Sequence, residues 1–76
     1  MNKDRRSRLA DAASQLDEVI DAIREVQDEE QEAYDNMPEG FQNGDRGQSM
    51  VDAIDAIDDF ILEIETVRDN IIIFAK

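Results

Sequence analysis

The stretch "DNMPEGFQNGDRG", Asp35 to Gly47, holds all three glycines and the only proline of a 76-residue chain, between two long runs of helix-like sequence. Proline disfavours the α conformation of the residue before it and has no amide proton to donate, so a helix arriving from the N-terminal side is expected to stop near Asn36. Gly40 and Gly44 are expected to permit the reversal. A connection this short makes the flanking helices antiparallel neighbours, an αα-hairpin.

On the N-terminal side, apolar residues recur at intervals of three and four from Leu9: Ala12, Leu16, Val19, Ile23, Val26, Ala33 and Met37. With a at 9, 16, 23, 30 and 37 and d at 12, 19, 26 and 33, they form a heptad seam interrupted only by Glu30, widened at e by Ala13, Ile20 and Tyr34. On the C-terminal side, Met50, Ile57, Ile64 and Ile71 take a, Ala53, Phe60, Val67 and Phe74 take d, and Ile54 and Ile61 take e. The expected elements are a helix over about 4–36, a loop over about 37–43 and a helix over about 44–75. Asn43 and Ser49 compete as the second helix's N-cap. At about 1.5 Å per residue each helix is about 40 to 50 Å long.

The fold class is therefore all-α, an antiparallel helical hairpin in one domain. A lone hairpin cannot cover stripes this wide, so two copies are expected to pack as a four-helix bundle, with Leu16, Ile20, Ile23, Ile54, Ile57, Phe60, Ile61, Ile64, Val67, Ile71 and Phe74 as core or dimer seam. A higher oligomer or a purely structural assembly protein is the related alternative.

Polar residues in the seam mark a candidate site. With the loop centred near residue 40, Glu30 and Arg46 are expected to meet at the loop end, with Gln27, Tyr34 and Asn36 as hydrogen-bonding neighbours. Such a cluster either fixes register or binds a ligand. Gly47 is expected to admit a close approach by a helix or the Tyr34 ring. Arg68, among isoleucines, is expected to reach an acid.

Charge supplies the second candidate. The chain has 20 acids, eight bases and a net charge of −12. Residues 1–8 carry four bases and one acid, residues 68–76 two bases and one acid, and residues 9–67 two bases and eighteen acids. The c and f positions of the first helix are Asp11, Glu18, Glu25, Glu32, Ser14, Asp21, Asp28 and Asp35. Glu18, Asp21, Glu25, Asp28, Glu32 and Asp35 thus form an acidic face with almost no intervening lysine, which mixed surface charge would have avoided. Carboxylates about every 5 Å can mimic the phosphates of nucleic acid, stay a solvated face, or pair with "KDRRSR" at the N-terminus of a neighbouring subunit. The charge argues against direct binding to nucleic acid or an anionic membrane.

Chemistry is sparse. No cysteine or histidine is present, so disulfides and the usual zinc, copper and haem ligand sets are excluded. No metal site or cofactor is expected. Nucleophiles lack a partnering base, and "GDRG" has no Walker lysine, so no enzyme is expected. The longest apolar run, "IIIFA", is too short to span a bilayer, and the expectation is a soluble, cytoplasmic protein.

The segment "DEEQEAYDNMPEGFQNGDRGQ", residues 28–48, resembles a group of short helical-hairpin proteins encoded by bacteriophages and mobile elements, through its Ala-aromatic-Asp-Asn-x-Pro-Glu run and following Arg-Gly. The resemblance covers about 20 residues around the loop, with the flanking helices alike only in pattern, and carries over no functional residues. It implies a bacterial or phage setting, in which small acidic proteins often block a host protein. The functional expectation is a noncatalytic protein acting by protein–protein contact, as a phage-encoded modulator or inhibitor of a host system. The alternative is an oligomer that gathers Arg5, Arg6, Arg8 or Arg46 into a pocket for a small anion such as a nucleotide.

Overall fold

The computed structural model describes residues 1–76 and is an antiparallel hairpin of two long helices, α1 (Lys3–Asp35) and α3 (Asp45–Ala75), joined through a single helical turn, α2 (Glu39–Gln42). Asn2 caps α1, its side-chain carbonyl accepting the Arg5 amide at 2.8 Å. At the other end the Asn36 amide still bonds Glu32 O (3.0 Å), after which the extended backbone of Pro38 breaks the ladder.

The reversal differs from expectation in how it is made. No glycine has positive φ, so the turn uses none of glycine's left-handed freedom. Instead Pro38 O accepts the Phe41 and Gln42 amides to form α2, and Gly44 O accepts the Gln48 amide to open α3. Gly44, extended, is the N-terminal boundary of α3, Asn43 closes α2, and Ser49 lies within α3. Neither expected cap therefore acts, because the extra helical turn fixes where α3 begins.

The seam also differs from the heptad expectation. The buried residues of the two long helices are Ala13, Ile20, Gly47 and Ile61, all at e, and Leu9, Leu16, Ile23, Met50, Ile57, Ile64 and Ile71, all at a, are half-buried beside them. The d residues Val19, Val26, Phe60, Val67 and Phe74 stay exposed, from 45% at Val19 to 65% at Phe74. Each helix meets its partner through a and e, a seam rotated away from the a/d stripe. With the stripes wider than one contact, the hairpin buries one half and leaves the other.

The result is a rod, 59 × 14 × 11 Å, one helix layer thick. Its radius of gyration is 17.4 Å, where a compact domain of this length has about 11 Å. No helix is long and apolar enough to cross a membrane.

Candidate functional site: two flanks and a loop end

Two antiparallel helices that face each other through the same heptad positions are related by an approximate two-fold axis normal to their plane. The d residues of both therefore emerge on one flank of the layer and the b residues of both on the other. The b flank is closed by polar bonds across the hairpin. Asp17 and Arg68 pair at 2.7 Å, Arg24 and Glu65 at 3.7 Å, and the Gln27 amide donates to Ile54 O (3.1 Å) and Asp58 Oδ1 (3.5 Å). Arg68 reaches an acid as its position among isoleucines led one to expect, and also donates to Asp69 at 3.0 Å. Its guanidinium is held above the ordinary arginine pKa first by the bond to Asp17 and then by that to Asp69.

The d flank has no such closure. Three shallow apolar hollows run along it: Leu9, Val67, Ile71 and Phe74 at the terminal end, Leu16, Ile64 and Val67 at mid-length, and Ala33, Met37, Phe41 and Met50 at the loop end. Leu62, Ile72 and Ile73 add exposed apolar surface elsewhere on α3.

The polar cluster expected at the loop end is only partly assembled. Asn36 and Arg46 line the loop-end hollow together with Pro38 and Phe41. Glu30 and Arg46 do not pair; Arg46 lies at the level of Asn36 and Met37, about 10 Å along α1 from Glu30 at about 1.5 Å per residue. Glu30 stays half-buried, and no hydrogen bond or ion pair engages the Arg46 side chain. Gln27 instead serves mid-helix, tying α1 to Ile54. Tyr34 enters through its backbone carbonyl, which accepts the Gln42 side-chain amide at 2.9 Å.

Gln42 is the residue that sequence reasoning missed. Its side chain holds the end of α1, and its backbone presses on Gly47 of α3 so closely that a Cβ at 47 would collide with the Gln42 carbonyl. A close approach at Gly47 was expected, but from a helix or the Tyr34 ring. A glutamine in a short loop carries no periodicity signal, so nothing in the pattern singled it out.

The acidic face is placed as expected and is unspent. Glu18, Asp21, Glu25, Asp28, Glu32 and Asp35 are all exposed, and only Asp35 accepts a side-chain hydrogen bond, from Gln31 at 2.9 Å. No group of three or more carboxylates converges in a way that could hold a metal ion. Comparison with protein-family models, curated proteins and solved structures finds no match.

Proposed function

We propose that the chain is a noncatalytic binding protein that dimerises through its d flank into a four-helix bundle and presents its acidic face to a partner protein. The observation that carries the dimer is area. The hairpin exposes 5681 Å², whereas a compact monomer of 8.7 kDa exposes about 4,700 Å². The surplus of about 1,000 Å² is close to the roughly 800 Å² per partner of a standard interface. Covering the d flank with a second d flank would remove it while leaving the c and f carboxylates in solvent. Sedimentation equilibrium tests this directly: twice the chain mass is expected, and a monomer at micromolar concentration overturns it.

The face left outward fits a protein with a basic groove, such as a nucleic-acid-handling protein of a bacterial host. A phage-encoded modulator or inhibitor of that kind accords with the resemblance around the loop. A tagged pull-down from bacterial lysate at low and high salt, repeated with Asp21→Lys, Glu25→Lys and Asp28→Lys together, is the test. Retention of such a protein only at low salt, lost in the triple variant, is the expected result. Unchanged capture by the variant overturns the acidic-face reading.

A second reading rests on Arg46, an unpaired cation in a hollow with Asn36 and Phe41. That combination suits a small anion with a flat apolar part, such as a nucleotide. A thermal shift with nucleotides that disappears in Arg46→Ala would favour it over partner binding.

A further inference from the structure

We infer that the second copy lies end for end on the first, α1 against α1 and α3 against α3, with the two loops at opposite ends of the bundle. The inference rests on the dimer proposed above and specifies its geometry.

Two face-to-face arrangements cover the d flank. A two-fold axis along the rod sets the loops together and stacks α1 on the partner's α3. An axis across the rod sets the loops apart and stacks like helix on like helix. Charge along α1 discriminates between them. Residues 1–8 carry four bases and one acid, whereas residues 28–36 carry five acids and no base. Within one chain Arg5 and Glu32 are 27 positions apart on a single helix, about 40 Å, several times the screening length of about 8 Å at physiological ionic strength. These opposite charges therefore do not relieve each other inside a hairpin. Nor are they otherwise spent: of the N-terminal cations only Arg8 is paired, with Asp4 of the same helix, and Glu29, Glu30 and Glu32 have no cationic partner.

The basic residues also stand at the edge of the apolar flank. Arg5 extends the d row one heptad before Ala12, and with Met1, Arg8 and Leu9 it lines a further shallow hollow. At the other end of the same row stands Ala33, flanked by Glu29, Glu30 and Glu32. Turning a second copy end for end sets each basic end over an acidic one, twice by symmetry, and brings the small d residues Ala12, Val19, Val26 and Ala33 of the two α1 helices together. The loops-together arrangement would set Phe74 beside Ala12 and Phe60 beside Val26, filling space well, but it stacks two basic ends at one pole and two acidic ends at the other. Like charges brought together in this way cost affinity, and complementary ones set orientation.

The absence of cysteine makes the orientation directly measurable. Gly40, at the loop, is exposed and a Cβ there meets nothing within 4 Å, so Gly40→Cys can carry a spin label without disturbing the hairpin. Glu39→Cys repeats the measurement from a neighbouring exposed position. Electron–electron dipolar spectroscopy on the labelled dimer is expected to show a separation close to the 59 Å long axis. A separation within about 25 Å, two or three interhelical spacings, overturns the orientation while leaving the dimer intact. A monomeric mass for the labelled sample, with no dipolar coupling, instead overturns the dimer on which the orientation rests. As a second readout, Arg5→Glu with Arg8→Glu is expected to weaken the dimer about ten-fold or more, and added Glu29→Lys with Glu30→Lys to restore it. Failure of that rescue in a folded protein counts against the end-for-end arrangement.

Discussion

The two flanks of the hairpin are made by the same pair of helices and finished in opposite ways. On one, Asp17, Arg24, Gln27, Asp58, Glu65 and Arg68 reach across the groove and bond to each other or to backbone. On the other, Val19, Val26, Phe60, Val67 and Phe74 stand open to solvent. Polar groups that bond across the groove leave that flank complete in water, whereas apolar groups gain only when something else excludes water from them. The difference separates a surface that closes the fold from one whose apolar area stays in water.

Substitutions can break or sharpen that contrast. The largest effect on the fold itself is expected between the flanks, at the seam. Ile61→Ala, at a residue 3% exposed, should cost about 3 kcal/mol in urea unfolding, and full retention of stability would mean that the seam is elsewhere. Next comes the open flank. Phe60→Ala should raise the dissociation constant of the proposed dimer about 10- to 100-fold, equivalent to about 1.4 to 2.8 kcal/mol, read by sedimentation across a concentration series. Equal dissociation of variant and parent would remove the d flank from the interface. On the polar flank, Gln27→Ala should cost about 1 kcal/mol of stability at constant dimer affinity, measured once at saturating protein and once by dilution. The smallest effect belongs to Asp17→Asn, whose partner Arg68 is already bonded to Asp69. It should lower the urea midpoint slightly at low salt and not at all at high salt, as an exposed ion pair does.

The hairpin and its helix limits were legible because proline and three- and four-residue apolar spacing act locally. The break after Asp35 follows from Pro38 alone. Which part of each apolar stripe turns inward was not legible, because a, d and e are all apolar and only tertiary packing selects a and e. The same ambiguity put Glu30 and Arg46 together on paper. A register extrapolated from a loop centre misses the turn that α2 inserts, and Arg46 lands with Met37 instead. The exposure of the c and f carboxylates was legible, since those residues point outward in either seam.

The contacts made by Gln42 also set an order of assembly. Its bond to Tyr34 closes a span of 8 residues, the Gln27 bond to Ile54 a span of 27, and the Asp17–Arg68 pair a span of 51. Closing the widest span costs about 1.6 kcal/mol more chain entropy than closing the narrowest. On chain entropy alone the hairpin is expected to close like a zipper, from the loop toward the chain ends. Opening is expected to run the other way, with the terminal contacts around Leu9 and Phe74 parting first. Amide exchange should accordingly be fastest at the ends of α1 and α3 away from the loop, and a partner copy laid across that end would act as the clasp that holds the zipper shut.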